Sequence, residues 1–115
     1  MKQSSSLMPS RVVLLFLVFF CQTKVWAGTP IINIDIRNHL FIPSEITIPK
    51  NTKVKLIIHN HDSEDEEFES YELNREKVIL GNRKGVIFVG PLPAGEYPFF
   101  GEFFPKTAQG KVIVE

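Results

Sequence analysis

From Ile31 to the last residue the sequence is a succession of short alternating segments, cut by proline, glycine and asparagine, and this limits the fold most severely. Ile31 to Ile36 alternates around Asn33 and Asp35, the period of a half-buried strand. Glu45 to Pro49 is a second short strand, bounded by Pro43 and Pro49. After a turn at Lys50-Asn51-Thr52, Lys53 to Asn60 alternates again, with Val54, Leu56 and Ile58 facing inward and Lys53 and Lys55 facing water. Lys77 to Leu80, a turn at Gly81-Asn82, and Gly85 to Gly90 follow the same rule. Pro91 to Gly95 feeds Glu96 to Gly101, and Gly110 to Glu115 closes the chain. About seven short strands spaced by turn signals predict an all-β fold, a Greek-key β-sandwich.

The first residues read as an export signal. Lys2 and Arg11 precede an unbroken apolar run from Val12 to Cys21, and Val25-Trp26-Ala27 ends in a small residue suited to cleavage. Ten apolar residues are half of the ~20 that span a bilayer, so a cleaved signal is expected over residues 1–27. Phe19 and Phe20 before Cys21 argue against a lipoprotein site, which needs small residues there. The mature chain is then residues 28–115, one domain, exported to the periplasm. Cleavage removes three of 13 basic residues and leaves 10 against 13 acids, a net charge of −3 that gives no footing for nucleic acid. Cys21, Met1 and Met8 leave as well, so neither thiolate nor thioether remains to hold a metal.

Eight of the 13 acids lie between Asp62 and Glu76. Such a segment reads either as a solvated loop or short exposed helix, or as a site. If it is extended, Phe68 points inward and Glu67 and Glu69 share the outer face, their Cα atoms about 6.6 Å apart. Two carboxylates so placed repel each other, and a hard cation would relieve them: iron, manganese, calcium or magnesium rather than copper(I). His61, entering this segment, and Glu102, flanked by Phe100, Phe103 and Phe104, are further candidate ligands; His39 ranks behind them, and His59 reads as a surface residue. Phe99, Phe100, Phe103 and Phe104 cannot all point inward from one strand. Phe99 is expected in the core, and Phe100, Phe103 and Phe104 as an apolar rim able to meet a partner. The carboxylates and this rim are expected to converge at one end of the sandwich, where the loops gather.

Tyr97-Pro98-Phe99-Phe100-Gly101, a short loop, then Gly110-Lys111-Val112-Ile113-Val114 resembles the last two strands and ligand loop of the cupredoxins. In that resemblance the copper cysteine falls at Gly101, the loop histidine near Phe104, the methionine near Ala108 or Gln109, and the upstream histidine in the region of Glu67. All four ligands are absent, which implies no type 1 copper and no electron transfer of that kind. Phe41-Ile42-Pro43, Glu66 to Ser70, Leu73 to Val78, Gly90-Pro91-Leu92, Pro98 to Phe103 and Thr107 to Gly110 resemble a narrower group. These are the small periplasmic cupredoxin-like proteins of bacterial Ftr-type iron uptake systems, similar also to the EfeO-type cupredoxin domain. That resemblance implies metal binding by an E-x-E pair, here Glu67 and Glu69, while the cysteines of the EfeO-type site fall at Phe41 and Gly101. It implies an accessory role in iron uptake, with a membrane iron permease and other uptake components as partners, and an iron or copper ion as the metal. Without an evident redox centre a binding protein is expected rather than an enzyme. Two alternatives stay open: a metal-free domain docking through its Phe-rich loop, and a copper-assisted ferrous oxidase. The oligomeric state is open too, a homodimer included.

Overall fold

A computed structural model describes residues 28–115, so the expected signal peptide and Cys21 lie outside the described residues. Nine strands form two sheets. They are β1 (Ile31–Arg37), β2 (Leu40–Ile42), β3 (Glu45–Ile48), β4 (Val54–Asn60), β5 (Glu66–Ser70), β6 (Arg75–Ile79), β7 (Lys84–Val89), β8 (Gly95–Gly101) and β9 (Gln109–Val114). One sheet runs β2-β1-β4-β7 and the other β3-β9-β8-β5-β6, with β1 parallel to β4 and β3 parallel to β9. The all-β sandwich expected from the alternation is what the chain forms, with β2 and β5 added to the anticipated strands.

Alternation builds the core. Ile34 and Ile36 of β1, Val54, Leu56 and Ile58 of β4, and Ile87 and Val89 of β7 face Ile46 and Ile48 of β3, Phe68 of β5, Phe99 of β8 and Val112 and Val114 of β9, all buried. At its centre Phe41, Phe68 and Phe99 pack edge-on and stacked, with ring centroids 4.8 to 6.1 Å apart. Aromatic pairs in such geometry add about 0.5–1.5 kcal/mol each beyond their burial. Phe41, at one of the two expected cysteine positions, is thus an aromatic anchor between the sheets.

The β1–β2 connection is the tightest. Arg37 pairs with Leu40, leaving Asn38 and His39 as a two-residue turn with φ of 52° and 60°. That is the primed geometry favoured between twisted antiparallel strands. Asp62, just after β4, accepts the Asn38 amide at 2.8 Å and the His39 amide at 2.9 Å. Partial burial opposes its ionisation, but these two donors, with the charges of His39 and Arg37, outweigh it and hold the Asp62 carboxyl below its ordinary range. Buried Asn60 completes the junction, donating to the carbonyls of Glu64 and Ile79 and accepting the Asp62 amide.

Candidate metal centre

The acidic segment enters as a loop, Asp62 to Asp65, and from Glu66 onward is a strand hairpin rather than a helix. In β5, Glu66, Phe68 and Ser70 are buried and Glu67 and Glu69 half-buried, so the last two share the outer face of the five-stranded sheet. The chain turns through Tyr71 to Asn74, the latter at φ 55°, and β6 returns antiparallel with Glu69 opposite Glu76 and Glu67 opposite Val78. This register sets a third carboxylate beside the first two: Glu67, Glu69 and Glu76 each bring an oxygen within 4.8 Å of the others. Glu102, one residue past β8, donates its amide to the Glu67 carbonyl at 2.8 Å and joins the same patch.

Partial desolvation comes first in raising Glu69 above its ordinary value. A side-chain hydrogen bond with Glu76 and the negative charges of Glu76, Glu67 and Glu102 add to it. A proton or a cation would relieve the repulsion within such a cluster. The donor set is oxygen only, which suits hard ions of iron, manganese, magnesium or calcium over thiophilic copper(I).

The other sequence candidates lie elsewhere. His61 follows β4, in the opposite sheet, and its Nε2 pairs with Asp35 Oδ1 at 3.0 Å. Its ring stacks beside His59, whose Nε2 pairs with Asn33 Oδ1 at 2.9 Å, above a pocket of about 320 Å³ that Arg83 and Lys84 also line. His61 is therefore not gathered with Glu67, Glu69 and Glu76. His39 lies in the β1–β2 turn, stacked on Phe104 at 3.6 Å, its ring nitrogens 3.5 Å from Asp62 and 3.3 Å from Glu64.

The three phenylalanines also divide. Phe100 lies on the outer sheet face, opposite Glu69 in the ladder and 5.6 Å from Tyr71. Phe103 and Phe104 sit in the β8–β9 loop, where with His39 and Pro105 they line an apolar pocket of about 330 Å³. The carboxylates thus occupy a sheet face beside Phe100, while the rim of Phe103 and Phe104 stands at the loop end. One member of the expected rim, Phe100, thus lies on the carboxylate face, and the Phe103 amide reaches the neighbouring Glu66 carboxylate.

Glu76 is a candidate that reading the sequence missed. Its signal was the spacing: a strand ending at Ser70 and a four-residue turn pair residues whose numbers sum to 145. Glu66 was missed as well. It is 1% exposed, and its Oε1 accepts the amides of Glu67 at 2.8 Å and Phe103 at 2.9 Å, while Oε2 has no partner.

These residues do not fit a type 1 copper centre. Residues 28–115 contain no cysteine, and a Cβ placed on Gly101 would stand 2.5 Å from Glu66 Cδ and 2.6 Å from Ala108 Cβ. The volume a thiolate would need is filled by a carboxylate. The ring of Phe104 and the buried methyl of Ala108 supply no donor.

Solved structures with the same architecture include the metal-binding domain of the Streptococcus pneumoniae Cu(I)-exporting P-type ATPase CopA (TM-score 0.69, 19% identity, 80% of this chain and 91% of that one). Auracyanin A, a blue copper protein from Chloroflexus aurantiacus, matches with TM-score 0.66 at 14% identity, covering 76% of this chain and all of that one. Amicyanin from Paracoccus versutus matches with TM-score 0.58 at 19% identity, covering 79% and 85%. At such identities they establish the fold alone. An uncharacterized protein of Rickettsia prowazekii (strain Madrid E) is 46% identical over 83 residues. That match covers 72% of this chain and 66% of the relative, just under two thirds of its length. The family model described as the cupredoxin-like domain matches residues 10–114, and the chain belongs to that family.

Proposed function

We propose that this protein binds a hard metal ion, iron in the first place, through Glu67, Glu69 and Glu76, with Glu102 at the edge of the site. The observation that carries the reading is the convergence of three carboxylates within 4.8 Å on one sheet face. Surface acids normally spread apart to lower their repulsion; here hairpin register holds them together against it. Partly exposed carboxylates on an outer sheet face suit reversible binding, because the ion keeps part of its water shell and leaves easily. In this reading iron is cargo. The protein is an exported periplasmic accessory that takes iron and passes it to a membrane permease of an uptake system, as the resemblance to Ftr-type and EfeO-type proteins suggests. The copper named for the CopA domain and auracyanin A belongs to those proteins. Gly101 and Glu66 oppose a site of the blue-copper kind in this one.

Anaerobic calorimetry with Fe(II) tests the reading. The wild type is expected to bind, and Glu67→Gln/Glu69→Gln to lose at least about tenfold in affinity. Equal affinities would sink the proposal. A second reading, docking of a partner on the loop end, is favoured by one observation: Phe103 is 49% exposed beside the apolar pocket lined by Phe104 and His39. Phe103→Ser would abolish pull-down of a partner under that reading and leave Fe(II) affinity unchanged. The copper-assisted oxidase is decided by oxygen consumption with Fe(II), with and without added Cu(II).

A further inference from the structure

Among the described residues, Glu66 is the only acidic one that is fully buried. The strand gives it no choice of direction: the pleat that sends Glu67 and Glu69 outward sends Glu66 inward, toward Gly101 and Ala108. A fold needing only stability would place an apolar residue there, as β5 does at Phe68. A buried carboxylate with one oxygen unpartnered is costly, and apolar replacements of similar volume often stabilise such positions.

What the carboxylate does hold is specific. Its Oε1 accepts the amide of Glu67, itself a proposed ligand, and the amide of Phe103, the residue after Glu102. One oxygen thereby ties the start of β5 to the loop leaving β8, just where the regular ladder stops at Phe68 and Gly101. The backbone bond from Glu102 to Glu67 lies between those two anchored amides. Gly101 completes the arrangement, because any side chain at that position would drive into the carboxylate.

We propose that Glu66 is a positioning residue for the carboxylate site, an internal clamp that fixes Glu67 and Glu102 from behind the sheet without touching the ion. This rests on the metal-binding reading above and adds to it a residue on the opposite face of β5.

The test compares wild type with Glu66→Gln, Glu66→Leu and the control Glu67→Gln/Glu69→Gln. Gln keeps an oxygen able to accept both amides; Leu keeps the volume and removes the acceptor. Fe(II) affinity is read by anaerobic calorimetry, and amide hydrogen exchange at Glu67 and Phe103 by NMR. Glu66→Gln should bind within about twofold of wild type, and Glu66→Leu should lose about tenfold or more, the size typical of outer ligand partners. Exchange at Glu67 and Phe103 should accelerate in Glu66→Leu while core amides of β4 and β9 stay protected. If Glu66→Leu does not fold, Glu66→Ala replaces it with the same expectations. Unchanged affinity and unchanged exchange in the acceptor-free variant overturn the clamp. If wild type itself binds no Fe(II), the metal reading fails by that result. The positioning role then falls with it, whereas a wild type that binds Fe(II) and an acceptor-free variant that binds it equally well overturn the clamp alone.

Discussion

Glu69 carries the chemistry of the site in its own titration. Partial desolvation, the bond to Glu76 and the charges of Glu76, Glu67 and Glu102 raise its value in the folded protein above that of the unfolded chain. A carboxyl raised in this way favours the folded state while protonated, and that favour is lost as pH rises through the folded value. Metal-free protein should therefore lose stability from this group as pH rises above the ordinary carboxylate range. Glu69→Gln should shift the denaturant midpoint upward at neutral pH and leave it unmoved in acid, where Glu69 is already neutral. Fe(II) affinity should rise over the same interval, because the ion competes with the proton. Gly101 packs against the buried neighbour of this cluster, Glu66. Glu66 and Ala108 leave no room for a Cβ there, so Gly101→Ala should destabilise by about 1–3 kcal/mol, as overpacking of buried sites does. Combining it with Glu66→Ala should recover part of that loss, and chemical denaturation of the three variants measures the coupling.

At the scale of elements, the hairpin of β5 and β6 makes the site and the separation of the sheets decides its membership. Glu76→Gln should weaken Fe(II) binding about as much as either β5 substitution, and His61→Gln should leave it unchanged; calorimetry on both variants checks this. Most strands were legible in the sequence because their inward positions are apolar, as in Val54, Leu56 and Ile58. The strand β5 hid its period because its inward positions are Glu66, Phe68 and Ser70, only one of them apolar. Three residues, Leu40 to Ile42, were too few to show β2. The shared face of Glu67 and Glu69 could be read from pleating alone. Glu76 needed a hairpin register, and alternation cannot supply pairing. His61 stands close to the acids in chain order, yet β4 leaves it over Asp35 in the other sheet.

Considered whole, the molecule carries different chemistry on its two outer faces. The face of β4 and β7 collects His59, His61, Arg83 and Lys84 around one pocket, and the face of β5, β6 and β8 collects Glu67, Glu69, Glu76 and Glu102. Cation binding should therefore be confined to one side of the sandwich, the face of β5, β6 and β8. Anomalous diffraction at the iron absorption edge, from crystals soaked anaerobically in Fe(II), tests this most directly. The account predicts one strong peak bonded to the carboxylates of Glu67, Glu69 and Glu76. No peak there at saturating iron, or a peak only at His59 and His61, would contradict it.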